Sequence, residues 1–192
     1  MTLYINSSVR ATSRTDRLAK ALLSALGEAY TEVKLEDEAL EPLCGETLRL
    51  RTELLEKGEL THPMFRYARQ FAEADTIVIA APFWDFGFPA KLKAYLEQVY
   101  VTGIVSRYGA DGMPVGLCRA KKLWYVTTAG GPFYPQYSYH YLRDLCKMAF
   151  GIPEAALLCA EGLDIVGNDP EAILHAAIEG IPALLGGEEE KA

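Results

Sequence analysis

The stretch that decides the fold runs from Thr76 to Pro89 and reads TIVIAAPFWDFGFP. Its first six residues are a continuous, mostly apolar run, which is typical of a parallel strand covered by helices on both faces. Its last eight residues include four aromatic side chains and follow that strand directly. A buried parallel strand needs parallel neighbours and crossover helices, so the flanking sequence must supply both.

Strand and helix patterns alternate on both sides of this stretch. Four further apolar runs predict strands at residues 3–6, 30–35, 123–127 and 156–160. Apolar residues at helical spacing predict helices that begin near Ser13, Glu46, Pro63, Pro89, Tyr139 and Asp169. This alternation predicts an α/β fold: a doubly wound five-stranded parallel sheet with helices on both faces.

Length and composition fit a single domain over residues 1–192. Half of the residues are hydrophobic, which is enough for a sizeable core. The formal net charge is -7 and no cluster of Lys and Arg occurs, which argues against nucleic acid as a partner. The acidic tail at residues 188–191 is expected to fray.

Neither a targeting segment nor a metal site is indicated. The first residues, MTLYI, are too short for a signal peptide and lack its basic start. No apolar run reaches membrane-spanning length, so we expect a cytoplasmic protein without a membrane partner. The histidines do not pair with the cysteines at metal-ligand spacing, so we expect no metal. In a reducing compartment free cysteines behave as small hydrophobic residues, so we expect buried thiols. The cysteines lie far apart, at Cys44, Cys118, Cys146 and Cys159.

In a doubly wound sheet, ligands bind beyond the carboxyl ends of the strands. The loop after the first strand is rich in hydroxyl groups and leads into a helix N-terminus, where free N–H groups favour an anion. The hydroxyls belong to Ser7, Ser8, Thr12, Ser13 and Thr15, with positive charge from Arg10 and Arg14. The glycine signatures of dinucleotide and P-loop sites are missing here, so a terminal phosphate monoester fits this loop. An ordinary helix start, with Ser13 and Asp16 as a capping box, is the alternative.

Two more loops follow the third and fourth strands. Residues 82–89 carry Phe83, Trp84, Phe86 and Phe88, which can wall a flat heteroaromatic ring. A hydrophobic plug against a neighbouring subunit is the alternative for this loop. Residues 127–132 read TTAGGP, and the two glycines either allow a close backbone approach to a ligand or form an ordinary turn.

Together these loops resemble the FMN-dependent NADH-azoreductases and the related NAD(P)H quinone reductases, and the resemblance extends over most of the chain. NSS at 6–8 with SRT at 13–15 looks like the family's phosphate loop. TTAGG at 127–131 looks like its glycine-containing flavin loop. The most specific block resembles the family's flavin-ring loop and following helix: APFWDF at 81–86, then Pro89, Leu92, Lys93 and Tyr95. The resemblance implies a flavodoxin-like fold that binds FMN.

Carried over residue by residue, the resemblance implies a contact for each part of FMN. The phosphate would be held by Ser8, Ser13, Arg14 and Thr15. The ring would be lined by Pro82, Phe83, Trp84, Asp85 and Phe86, and its far edge by Thr128, Gly130 and Gly131. The chain departs from the family at Asp85, where asparagine is common, and at Ala129, where close relatives have a larger polar residue. Either Asp85 turns away and contributes only its backbone, or its charge lowers the flavin potential.

Residues 103–117 also resemble the family, in which this excursion lies near a dimer interface and helps to close the neighbouring active site. The resemblance implies a homodimer whose substrate-binding residues are Trp84, Tyr108 and Tyr134. The alternative for Tyr108 is packing within its own subunit. Most tyrosines of residues 134–141 are interpreted as interface residues, and His140 as a structural residue rather than a proton donor.

The implied activity is that of an FMN-dependent NAD(P)H oxidoreductase that reduces quinones or azo compounds by ping-pong hydride transfer. NADH or NADPH would be the reductant, the acceptors would be small flat aromatic molecules, nitroaromatics included, and flavin N5 rather than a catalytic side chain would carry the hydride. The main alternative is a flavodoxin-like electron carrier, which the aromatic loop and residues 103–117 disfavour. A flavin-free protein is a further alternative. A Cys–His hydrolase fails, because no cysteine stands at a strand end before a helix N-terminus.

Overall fold

The computed structural model describes residues 1–186, so the acidic tail predicted to fray lies outside the described residues. The strands are β1 Thr2–Asn6, β2 Tyr30–Lys34, β3 Thr76–Ala80, β4 Ser106–Tyr108, β5 Pro114–Gly116, β6 Lys122–Thr128 and β7 Glu154–Ala160. The helices are α1 Arg14–Leu26, α2 Gly45–Glu56, α3 Arg66–Glu73, α4 Ala90–Val99, α5 Tyr139–Leu145, α6 Pro170–Glu179 and α7 Ile181–Gly186.

A five-stranded parallel sheet, in the order β2-β1-β3-β6-β7, organises the molecule. Its central strand β3 pairs with β1 on one side and with β6 on the other. Ile77, Val78 and Ile79 of β3 are completely buried, as the continuous apolar run requires. The predicted doubly wound sheet is therefore confirmed. The winding reverses between β1 and β3, and folds of this kind bind ligands beside that switch point.

Each face of the sheet has its own hydrophobic core, because side chains alternate along every strand. On one face, Val78 and Trp124 pack with Leu22 of α1. On the other face, Ile79 packs with Tyr95 of α4. The two cores fix α1 and α4 against the sheet. The loops that precede these helices therefore have defined positions at the carboxyl edge of the sheet.

Residues 103–117 contain a short antiparallel hairpin of β4 and β5. A Cβ at Gly116 would lie 2.1 Å from the backbone nitrogen of Gly151, so this contact requires glycine. Gly151 has φ 76° and ends a π-helical segment, Cys146–Phe150, that continues from α5. The single helix predicted for residues 139–150 therefore changes geometry after Leu145. The helix α7 follows α6 without a sequence signal that predicts it.

Candidate functional site

A cavity of about 280 Å³ opens beyond the carboxyl ends of the central strands. Every loop chosen from the sequence contributes to it, and the loop after β7 contributes as well. Its lining consists of Ser8, Val9, Arg10, Thr12, Ser13, Arg14, Thr15, Pro82, Phe83, Trp84, Thr128, Ala129, Gly130, Leu163 and Asp164. The predicted site residues outside this lining are Asp85, Phe86, Gly131, Tyr108 and Tyr134.

One end of the cavity, named here the anion end after its expected ligand, is lined by Ser8, Ser13, Arg14 and Thr15 at the start of α1. The Ser13 hydroxyl caps α1 by accepting a hydrogen bond from the backbone N–H of Asp16, with 3.2 Å between Oγ and N. The Oγ1 atoms of Thr15 and Thr128 are hydrogen-bonded at 2.6 Å, which ties α1 to the end of β6. Among residues 1–186, the buried hydroxyls of Ser7 and Ser8 have no hydrogen-bond partner. Such groups are costly to bury unless a ligand hydrogen-bonds to them.

Asn6 holds this loop in place, a role that the sequence did not reveal. Its Oδ1 accepts from the backbone N–H of Ser8 at 2.9 Å. Its Nδ2 donates to Asp16 Oδ1 at 3.0 Å and to Glu32 Oε1 at 2.9 Å. The Asp16 carboxylate also accepts from the Tyr4 hydroxyl at 2.8 Å. Burial first, and then this carboxylate, raise the pKa of Tyr4, so its hydroxyl stays a donor.

The capping-box prediction is therefore half right. Ser13 accepts from the Asp16 N–H as predicted. The Asp16 carboxylate, in contrast, points into the network with Tyr4 and Asn6, and it also pairs with Lys20 of α1 at 2.8 Å. The Asp16 carboxylate thus bonds to Tyr4 and Asn6 of β1, and not to the backbone N–H of Ser13 as a full capping box requires.

Arg14 joins the anion end to the loop after β7. Its guanidinium donates to Asp164 Oδ1 at 2.9 Å and to the carbonyl oxygen of Leu163 at 3.3 Å. Sequence reasoning missed both acceptors, because it considered only the loops after the first, third and fourth strands. A signal was available in the position of this loop. It follows the last strand of the parallel sheet, β7, and therefore begins at the same edge of the sheet as the other site loops.

The aromatic loop forms the opposite wall. The backbone N–H of Phe83 donates to the carbonyl of Thr128 at 2.9 Å, which joins two of the site loops. Trp84 and Gly87 then exchange two backbone hydrogen bonds, of 3.1 and 2.7 Å between N and O. The turn between them places Asp85 at φ 49° and Phe86 at φ 59°. Few residues other than glycine adopt such angles, although Asp and Asn tolerate them well.

This turn explains why Asp85 and Phe86 lie outside the cavity. Both side chains are exposed, and Phe86 has 61% of its surface accessible. Pro82, Phe83 and Trp84, which precede the turn, line the cavity instead. An aspartate at position 85 suits the left-handed backbone as an asparagine would, and this exposed residue is not part of the cavity lining.

An exposed aromatic cluster continues from this loop. The Phe86 and Tyr134 rings stack with centroids 5.6 Å apart, and Tyr137 meets Phe86 edge-on at 5.5 Å. Phe83, which lines the cavity, meets Phe86 edge-on at 6.2 Å and so connects the cluster to the cavity. Phe83 also meets Phe133 edge-on at 5.0 Å. Tyr108 on the β4–β5 hairpin is 59% exposed, so it is not packed within its own subunit.

The cysteines differ from one another in exposure. The buried-thiol prediction is confirmed for Cys146 and wrong for Cys44, which is exposed at the N-terminus of α2, whereas Cys118 and Cys159 are half-buried. The backbone N–H of Thr47 leads the interactions that lower the pKa of Cys44. Burial raises the pKa of Cys118 and of Cys159 to about 12, and it raises that of Cys146 as well. Within residues 1–186, no group of three or more His, Cys, Asp or Glu side chains is placed to hold a metal ion.

Comparison with known proteins identifies the family. The model of a family with a flavodoxin-like fold matches residues 1–185. An FMN-dependent NADH:quinone oxidoreductase of Clostridium acetobutylicum is 37% identical over an alignment of 194 positions, and the match covers 92% of this chain and 94% of that protein. The chain belongs to the FMN-dependent NADH:quinone oxidoreductase family. The family resemblance predicted from the three loops is thereby confirmed.

A second relative supports this assignment, and a solved structure supports the fold. The FMN-dependent NADH:quinone oxidoreductase of Coprothermobacter proteolyticus is 33% identical over an alignment of 178 positions, and the match covers 87% of this chain and 88% of that protein. A crystal structure of an FMN-dependent NADH-azoreductase from Bacillus anthracis in complex with FMN has the same fold, with a TM-score of 0.76. It is 23% identical and covers 94% of both chains, so it supports the fold alone.

Proposed function

We propose that this protein is an FMN-dependent oxidoreductase that uses NADH or NADPH to reduce quinones, azo compounds or related flat aromatic acceptors. One observation carries the proposal: in a chain of this family, a single cavity has an anion-binding end and an aromatic wall. The anion end combines the start of α1, the Arg14 guanidinium and the unpartnered Ser8 hydroxyl. These groups fit a phosphate monoester, and the wall of Phe83 and Trp84 fits a flat ring.

In this proposal each part of the cavity has one task. Ser8, Ser13, Arg14 and Thr15 hold the phosphate of FMN. Pro82, Phe83 and Trp84 line one side of the ring, whereas Thr128 and Gly130 border its other edge. Asp85, Phe86 and Gly131 contribute only through the shape of their loops, since all three residues lie outside the cavity lining.

When bound, FMN supplies hydride acceptance from the nicotinamide and two-electron transfer to the acceptor. The side chains of the protein position flat rings and exclude water from the wall formed by Phe83 and Trp84. Arg10, Arg14 and Asp164 are the ionisable residues of the cavity lining, and all belong to its anion end. Because Trp84 offers one stacking surface, we expect the nicotinamide and the acceptor to use it in turn, which gives ping-pong kinetics.

We include a homodimer in the proposal. The cavity of one chain is at the lower end of ligand-pocket volumes, about 300–1,000 Å³. The exposed aromatic cluster beside it, together with Tyr108 and Tyr134, is suited to cover the ring side of a second chain's cavity. Light scattering should therefore give about twice the chain mass of 21.2 kDa. A fully active monomer would remove Tyr108 and Tyr134 from the substrate site.

A cytoplasmic location, expected from the sequence, is also part of the proposal. Separately, the helices of residues 1–186 include none with the length and hydropathy needed to cross a membrane.

The deciding experiment is a visible absorption spectrum of the purified protein, followed by anaerobic addition of NADH and then of a small quinone. We expect a yellow protein that NADH bleaches without any partner protein and that the quinone restores. Steady-state rates should give parallel double-reciprocal lines. If NADH leaves the colour unchanged until a partner protein is added, the chain is an electron carrier. A colourless protein that binds no added FMN contradicts both functions.

A further inference from the structure

The loop after β7 is fixed against the loop after β6 by three backbone hydrogen bonds. Gly162 N–H donates to Gly131 O at 3.0 Å, Leu163 N–H to Ala129 O at 3.2 Å, and Asp164 N–H to Gly130 O at 2.8 Å. Both acceptors of Arg14, the Leu163 carbonyl and the Asp164 carboxylate, belong to this loop. Arg14 is therefore attached to a rigid part of the site and not to a free surface loop.

The contact with Asp164 also explains the glycine at position 130. A Cβ at Gly130 would lie 2.4 Å from Asp164 Oδ2 and 3.1 Å from Asp164 Cγ. The absence of a side chain at this position makes room for the carboxylate. The sequence suggested that Gly130 allows the backbone to approach a ligand, and the structure adds that it allows Asp164 to reach Arg14.

The energy of the ion pair itself is not the main effect. Arg14 is 28% exposed and Asp164 is 66% exposed, and an exposed pair contributes little to folding stability. Its consequence is orientation, because two acceptors on one fixed loop restrict a long and flexible side chain. A guanidinium that is already oriented loses less entropy when it binds a phosphate.

We propose that Asp164 is a positioning residue that holds the Arg14 guanidinium at the anion end of the cavity and so makes the protein prefer FMN over riboflavin. The inference rests on the proposed function, since it assumes that the cavity binds flavin. Asp164 acts through Arg14 and not by contact with the phosphate, which its carboxylate would repel. Removal of Asp164 should therefore affect only the phosphorylated flavin.

The test measures the affinity of the full-length chain, stripped of flavin, for FMN and for riboflavin by quenching of flavin fluorescence. Asp164→Ala should weaken FMN binding by up to about ten-fold, the entropy cost of immobilising one long side chain on binding, and leave riboflavin binding within about two-fold. Asp164→Asn keeps an oxygen acceptor for Arg14 and should lose less. In an Arg14→Ala background, Asp164→Ala should have no further effect.

Glu171→Gln is the matched control. Glu171 accepts two hydrogen bonds from Arg17, at 2.9 and 2.7 Å, and thus also links α1 to the region after β7, but outside the cavity lining. This variant should bind both flavins as the wild type does. Far-ultraviolet circular dichroism of each variant checks that it is folded.

The outcomes distinguish a failure of the positioning role of Asp164 from a failure of the proposed function. If the wild type binds FMN and Asp164→Ala binds it equally well or more tightly, the positioning role is refuted and the proposed function stands. An equal loss for FMN and riboflavin also refutes it, because a general disturbance of the site would act on both. If the wild type binds neither flavin, the proposed function and the inference fall together.

Discussion

Replacement of Asn6 by alanine tests whether the loop beneath the anion site is held as the structure shows. Asn6 is buried, and its side chain makes one hydrogen bond with a backbone N–H and two with carboxylates. A neutral hydrogen bond contributes about 0.5–1.5 kcal/mol, and one to a charged group about 1.5–3 kcal/mol. The carboxylates of Asp16 and Glu32 can recover part of this from water, because neither is fully buried. We therefore expect Asn6→Ala to lower the free energy of unfolding by about 2–4 kcal/mol.

The loss should be visible in two measurements. With a urea dependence of about 2 kcal/mol per molar, the unfolding midpoint should fall by about 1–2 M. FMN affinity should fall about ten-fold as well, because the Ser8 N–H loses the acceptor that fixes its loop. Thr2→Val is the matched control at the other end of β1. It removes the 2.7 Å bond from the Thr2 hydroxyl to Glu28 and should cost about 1 kcal/mol without a change in FMN affinity.

The stability lost in an Asn6→Asp variant should depend on pH. The introduced carboxyl would stand beside the carboxylates of Asp16 and Glu32, which raises its pKa in the folded state above the unfolded value. A group with a raised folded-state pKa favours folding below its unfolded pKa, and this contribution is lost as the pH rises through the folded pKa. The destabilisation should therefore be small in acid and grow toward neutral pH. Unfolding midpoints of Asn6→Ala within 0.2 M of the wild type, on the order of 0.5 kcal/mol, would refute the proposed role of the network.

Further predictions concern the aromatic wall, the anion end and the exposed thiol. Trp84→Ala should reduce NADH:quinone turnover about 100-fold while most of the bound FMN is retained, and wild-type turnover in stopped-flow assays would contradict the stacking role. Ser13→Ala and Arg14→Ala should each weaken FMN binding by about 1–3 kcal/mol in a calorimetric titration, and unchanged affinity in both would displace the phosphate from this end. Iodoacetamide at neutral pH should alkylate Cys44 first, since its pKa is lowered whereas burial raises those of Cys118, Cys146 and Cys159. Peptide mapping by mass spectrometry that finds another thiol labelled faster would show that Cys44 is protected.

Sequence alone was enough for the framework because its signals are local. The continuous apolar run of residues 76–81 predicted a parallel strand covered on both faces, and the structure places β3 there, at the centre of the sheet. The loops after the first, third and fourth predicted strands were selected because strand ends share one edge of a parallel sheet, and all three loops line one cavity. Within these loops the family resemblance implied the contacts of Phe83, Trp84, Thr128 and Gly130, and these residues are in the lining. Ser13 was recognised as a helix cap from its spacing to Asp16.

What only the tertiary structure decided depends on contacts between distant residues and on backbone angles. Asp164 lies 150 positions after Arg14, so no local pattern joins them, and the reach of its carboxylate past Gly130 is visible only in three dimensions. Asp85 and Phe86 stand in a left-handed turn and lie outside the cavity lining, although the family resemblance implied that both line the ring. Local sequence determines which segments become strands, helices and strand-end loops. The direction in which a loop side chain points is set by the hydrogen bonds and packing of whatever the fold brings against it.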